Sequence, residues 1–129
     1  MVLNDSLSNV LSQILNCEKA KKKECIVKSN SSFIKKILEI MKENRYIGDF
    51  KEDDERGTHL KINLLGKINK CGVIKPRFSV NKDQIERYEK RYLPAKDFGI
   101  IIISTNKGLM THYISKEKRI GGKLIAYIY

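Results

Sequence analysis

Apolar residues recur along this chain with two periods, and each change of period marks an element boundary. Leu7, Val10, Leu11, Ile14 and Leu15 fall at i, i+3, i+4, i+7 and i+8, one face of a helix, with Asn4 or Asp5 placed to cap its start. The run Lys19, Lys21, Lys22, Lys23 follows, and Cys25-Ile26-Val27, flanked by Glu24 and Lys28, reads as a short strand. Ser31 or Ser32 is positioned to cap a second helix, whose Phe33, Ile34, Ile37, Leu38 and Met41 form another apolar stripe ending near Asn44. Two strands are predicted next, Ile47 to Lys51 and Leu60 to Leu64. They flank the acidic, glycine-ended turn Glu52-Asp53-Asp54-Glu55-Arg56-Gly57. Leu60, Ile62 and Leu64 alternate with polar residues, as in a strand buried on one face. The order so far is αβαββ.

The second half reads differently. Gly66 to Gly72 forms a passage, and Pro76-Arg77-Phe78-Ser79-Val80 is an extended segment opening a new module. Asp83 to Tyr92 fits one helical segment with Ile85, Tyr88 and Tyr92 on one side. Gly99-Ile100-Ile101-Ile102-Ile103 is an unbroken apolar, β-branched run, expected of a strand covered on both faces. It stops at Ser104-Thr105-Asn106-Lys107-Gly108. Leu109 to Arg119 is expected to form a short helix, and Gly121-Gly122 to free the backbone before a closing strand, Lys123 to Tyr129. No internal repeat relates the halves. The predicted fold class is α+β in two small lobes: residues 1–70 as an αβαββ lobe, and residues 71–129 as an antiparallel β-sheet with a short helix.

Charge narrows the partners. The 129 residues carry 26 Lys and Arg against 15 Asp and Glu, a net charge of +11, which points to a polyanion. The surplus is uneven, with 14 basic and 10 acidic side chains in residues 1–70 but 12 and 5 in residues 71–129. Cys17, Cys25 and Cys71 are odd in number and widely spaced, so a disulfide framework is not expected and a reducing compartment is. His59 and His112 stand at no zinc spacing, and neither a metal site nor a cofactor is expected. No segment has the apolar length to cross a bilayer, and no secretory or mitochondrial leader is recognisable, so a cytoplasmic protein is expected. Catalytic signatures are absent: no G-x-S-x-G elbow, Walker loop, dinucleotide fingerprint or metalloprotease helix occurs, and an enzyme is not expected.

Ser104, Thr105 and Asn106 each offer a donor and an acceptor at a strand end, Lys107 adds charge, and Gly108 permits close approach. Taken alone, these residues fit a self-capped turn. They also suit RNA, because irregular stems present 2′-hydroxyls, phosphates and splayed base edges that short polar groups reach at close range. Gly121-Gly122 has the same two readings, a helix-to-strand turn or a backbone surface for ribose and phosphate, with Lys123 beside it to pair that phosphate. Tyr127 and Tyr129 suit packing in the core or between lobes better than base stacking.

The stretch Phe98 to Tyr129 resembles the signature of a universal small-subunit ribosomal protein, the S-eight family, in the form shared by archaea and the eukaryotic cytosol. The supporting segments occur in family order: Leu7 through Leu11, Arg45-Tyr46-Ile47-Gly48-Asp49-Phe50, Gly66 through Phe78, and Leu93-Pro94-Ala95. Two positions depart from the family pattern. Asn106 stands where a second serine is usual, and Ser115 where Ala or Gly is usual; both replacements are small and polar, so the loop conformation is expected to persist.

The resemblance implies a structural constituent of the small subunit that binds an irregular stem in the central domain of the small-subunit rRNA. It also implies neighbouring small-subunit ribosomal proteins as partners, no membrane, and a monomer within the ribosome. The implied RNA-binding residues are Ser104, Thr105, Asn106, Lys107, Gly108, Gly121, Gly122 and Lys123, with the two loops side by side. Lys21, Lys22, Lys23 and Lys28, and at the junction Lys67, Lys70, Lys75 and Arg77, are candidate phosphate contacts. Alternatives of other classes are a regulatory module that represses translation of a messenger imitating that stem, and a basic module docking on anionic membranes.

Overall fold

A computed structural model describes residues 2–28, 31–52, 59–75, 77–95 and 98–129. The chain divides into two compact units, Met1–Cys71 and Gly72–Tyr129. Unit one runs α1 (Val2–Lys19), β1 (Glu24–Lys28), α2 (Ser32–Glu43), β2 (Ile47–Glu52) and β3 (His59–Leu64), the αβαββ order that the apolar periods predict. Its three strands are antiparallel in the order β1-β3-β2. Period-two burial puts Cys25, Val27, Leu60, Ile62 and Leu64 inside, and period-3.6 burial does the same for Leu7, Val10, Leu11 and Ile14 and for Ile34, Ile37, Leu38 and Met41. Ser31 is the N-cap residue of α2 and Asn44 its C-cap, where the Asn44 amide Nδ2 donates to the Ile40 carbonyl at 2.7 Å. The acidic turn expected after Glu52 falls on residues 53–58, outside the described residues.

The boundary between the units falls within β4 (Cys71–Val73), and unit two continues with β5 (Ser79–Val80), α3 (Ile85–Tyr92), β6 (Ile100–Thr105), β7 (Gly108–Thr111), α4 (His112–Lys118) and β8 (Gly122–Ile128). The sheet order is β4-β8-β6-β7, with β5 also on β8. Ile100, Ile101, Ile102 and Ile103 are all buried, which explains why β6 has no polar alternation. On one face Ile101, Ile103 and Leu124 pack with Val80, Ile74 and, from α3, Ile85. A bulge between Ile102 and Ile103 lets β8 carry one extra residue, Ile125, whose carbonyl accepts from the Ile74 amide at 2.9 Å.

Two features of this unit differ from the sequence reading. The helix expected from Leu109 begins only at His112, because Gly108 to Thr111 pairs with β6 as a hairpin strand. Leu109 and Met110 read equally well on a helix or a strand, and the pairing with Ser104 and Ile103 decides between them. Cys71 and Gly72, read as the end of the passage, lie instead in β4, while α3 falls within the segment read at Asp83 to Tyr92.

Candidate nucleic-acid interface

β6 ends in Ser104 and Thr105, and the chain reverses through Asn106 and Lys107 into Gly108, with Thr105 opposite Gly108 in register. The Thr105 hydroxyl holds this turn. It donates to the Gly108 carbonyl at 2.9 Å and accepts from the Lys107 amide at 3.1 Å. Gly108 has φ +110, where L side chains are strained, and an added Cβ would meet nothing within 4 Å, so conformation and not crowding requires glycine here. Thr105 therefore performs the self-capping that turn chemistry suggests. Ser104 does not: its hydroxyl has no hydrogen-bond partner among the described residues, and the residue is half-buried. Asn106, Lys107 and Gly108 are exposed.

The glycine pair is required for the opposite reason. An added Cβ on Gly122 would lie 2.2 Å from the Ser104 carbonyl oxygen, and one on Gly121 would lie 2.2 Å from the Val80 carbonyl oxygen. Both obstacles are backbone, so neither can swing away. The two glycines let the start of β8 pass between the ends of β5 and β6, and in doing so bring the second loop against the first. The left-handed cap of α4 is Arg119, with φ 56 and ψ 43, and not a glycine.

Register then lines up one row of positions across the sheet: Ser79 opposite Lys123, Lys123 opposite Ser104, Ser104 opposite Leu109. Because side chains alternate along each strand, Ser79, Lys123 and Ser104 share a face at the turn end. Ser79 and Lys123 are exposed. Sequence reasoning missed Ser79, which pairing alone places beside Lys123. It also passed over Lys118 and Arg119, exposed where α4 runs into the glycine pair; a basic helix end before two glycines was the signal available.

α4 fixes the second loop from behind. Thr111 is the N-cap residue, and its hydroxyl accepts from the Ile114 amide. Ser115, fully buried, donates its hydroxyl to the Ile120 carbonyl and accepts the Ile120 amide on its own carbonyl. The departure from Ala or Gly is thus accommodated by a hydrogen bond that ties the helix to the residue before the glycine pair. Tyr113 donates its hydroxyl to the Gly99 carbonyl at 3.0 Å, anchoring α4 on the other end of β6. His112, also fully buried, accepts the Ile101 amide on Nδ1 at 3.0 Å. Its Nε2 faces the buried Glu89 carboxylate at 3.7 Å, and Glu89 pairs in turn with the Lys116 ammonium. Burial, the largest influence, outweighs the opposing pull of the Glu89 carboxylate and, with the Lys116 charge, keeps the His112 pKa below its ordinary 6.5, in keeping with a neutral ring whose Nδ1 accepts.

The remaining candidate cations are distributed between the units. Lys21, Lys22 and Lys23 follow α1 and line, with Glu18, Leu65 and Gly66, an open cleft of about 660 Å³ in unit one. Lys21 adopts φ 59, and the Gly66 amide donates to the Glu18 carboxylate at 3.3 Å across that cleft. Lys28, at the end of β1, and Lys67 and Lys70 are exposed in the same unit. Lys75, exposed, and Arg77, half-buried, belong to unit two, so the four cations read together at the junction split two and two. Cys25 and Cys71 are buried thiols, pushed up to about 12 chiefly by burial. Among the described residues no cluster of His, Cys, Asp and Glu could hold a metal ion, and no helix is long and apolar enough to cross a membrane.

Compared with known families, residues 5–129 match the family model for ribosomal protein S8.

Proposed function

As the chain belongs to the ribosomal protein S8 family, structural, rRNA-binding proteins of the small subunit that serve translation and are not enzymes, we propose that the turn end of its second sheet recognises an irregular rRNA stem. The stem lies in the central domain of the small-subunit rRNA. The observation that carries this reading is the packing of Gly122 on the Ser104 carbonyl, which presents two polar loops as one surface. The Ser104 hydroxyl, free of internal partners among the described residues, reads a 2′-hydroxyl or base edge, while Thr105 keeps the turn in shape for it. Asn106, Lys107 and the Gly108 backbone approach the same stem, and Gly121, Gly122 and Lys123 grip its backbone from the second loop. Lys123 and Lys107 supply phosphate pairing.

Lys21, Lys22, Lys23 and Lys28 in unit one, with Lys75 and Arg77 in unit two, add affinity and orientation through phosphates and little sequence information. The chain acts as a monomer in the cytoplasmic small subunit, of the archaeal and eukaryotic type, among neighbouring ribosomal proteins.

The test compares affinity for the irregular stem with that for a fully paired stem of equal length at near-physiological salt. A preference of at least about 1,000-fold is expected. Ser104→Ala should remove much of that preference without changing thermal unfolding, since the hydroxyl supports nothing in the fold. Equal, steeply salt-dependent binding to both stems would overturn the reading.

A further inference from the structure

We infer that the α3-covered face of the second unit's sheet is a separate RNA contact, one that takes unpaired nucleotides by stacking. A continuous row of rings and one guanidinium crosses this face. Tyr88 and Phe78 lie 5.4 Å apart, centre to centre. The Arg91 guanidinium lies 5.6 Å from the Phe78 ring and 5.7 Å from the Tyr92 ring. Tyr92 stacks on Tyr127 at 5.7 Å, and Tyr127 to Tyr129 and Tyr129 to Phe98 are each 6.3 Å. A closed aromatic core would not hold an arginine in its middle. Nor would it leave its end member open to water, and Phe98 is 49% exposed while the other rings are only partly buried.

The charges of α3 say which partner fits. Tyr88, Arg91 and Tyr92 share one flank of the helix, with Arg87 one turn before Arg91. Glu86 and Glu89 project from the other flank, where they line a cleft of about 280 Å³ with Lys90, Leu93, Pro94 and Ala95, and Glu89 is held by Lys116. The ring-bearing flank thus keeps cations and none of the helix's carboxylates, which complements a polyanion. Rings and a flat guanidinium offer every base a stacking surface whatever its sequence. Duplex bases are already stacked, so the ligand is unpaired RNA.

This surface is not the turn end. Side chains alternate along β6, so Ile101 and its partner Tyr127 lie on one face of the sheet, whereas Ser104 and its partner Lys123 lie on the other. The inference rests on the RNA-binding reading but assigns a different surface and a different feature of the RNA.

The experiment measures binding of single-stranded oligoadenylate and of a fully paired hairpin carrying the same number of phosphates, with the full chain and three variants. The wild type should prefer oligoadenylate. Phe98→Ala, at an exposed ring, should weaken oligoadenylate binding about tenfold, the loss of one stacked base, and leave the hairpin unaffected. Arg91→Lys keeps the charge but not the plane, and should act in the same direction. Ser104→Ala should spare oligoadenylate while losing the irregular stem, which separates failure of this inference from failure of the stem reading. No preference for oligoadenylate in the wild type, or unchanged binding in both Phe98→Ala and Arg91→Lys, would overturn it and leave the face to a protein neighbour.

Discussion

Replacing Gly122 by alanine tests the junction of the two loops most directly. The new Cβ would start 2.2 Å from the Ser104 carbonyl oxygen, 2.9 Å from its carbon and 3.0 Å from Ile103 Cγ2. Ordinary carbon–oxygen contact begins at about 3.3 Å, so β8 must retreat from β6 by roughly 1 Å. Ladder bonds around Ser104 and Lys123 resist that retreat. Overpacking costs about 1–3 kcal/mol, and one weakened ladder bond adds about 1 kcal/mol, for a total of roughly 2–4 kcal/mol. That is a large share of a small protein's stability of about 5–15 kcal/mol. With a urea slope of about 1–3 kcal/mol per molar, the midpoint of unit two should fall by at least about 0.7 M. Affinity for the irregular stem should fall with it, because the loops part. Gly108→Ala is the control: it meets open space and carries only the strain of φ +110, about 1–3 kcal/mol, with no displacement of β8 from β6. An unchanged midpoint and slope for Gly122→Ala would refute the close approach on which the surface depends.

Other outcomes follow from groups away from the turn. His112 is held neutral below its ordinary pKa of 6.5, so the unfolded chain binds the proton more tightly; its contribution to stability is complete above about pH 6.5 and is lost as pH falls toward the folded-state value. Thermal melts from pH 8 to pH 5 should show this decline, and His112→Asn, which keeps an acceptor for the Ile101 amide, should flatten it; an equally steep decline would point to another group. Changing Lys21, Lys22 and Lys23 together to alanine should weaken binding to all RNAs alike and reduce the salt slope by roughly one unit per lost phosphate contact, so unaltered slopes would exclude them as contacts. Thiol reagents at pH 8 should modify Cys17 first and reach Cys25 and Cys71 only on unfolding, since burial pushes both thiols up to about 12; rapid labelling of all three in the native protein would contradict that burial.

Much of the architecture is legible in the chain because burial imposes a period. One apolar face each on α1 and α2, alternation in β3 and the unbroken isoleucines of β6 follow from which faces meet solvent, and that is written residue by residue. The resemblance to the S-eight family likewise rests on blocks readable without coordinates, and the family match over residues 5–129 agrees with it. Local chemistry was legible too: a Ser-Thr-Asn-Lys-Gly run names a turn, and Thr105 caps it.

What sequence could not supply was partnership between distant residues. Leu109 to Thr111 became a strand because β6 had an unpaired edge to offer, a fact about neighbours that no local propensity contains. Gly121 and Gly122 look like turn glycines, yet their requirement comes from the carbonyls of Val80 and Ser104, residues 41 and 18 positions earlier. Ser79 joins Lys123 and Ser104 only through register, and Arg91 meets the Phe78 ring only because α3 packs on the sheet. Sequence by itself determined most of the elements, the charge and the family, since these depend on each residue's own chemistry and its near neighbours. Tertiary structure alone decided which polar groups share a surface, because strand pairing and close backbone packing are set by contacts between segments far apart in the chain.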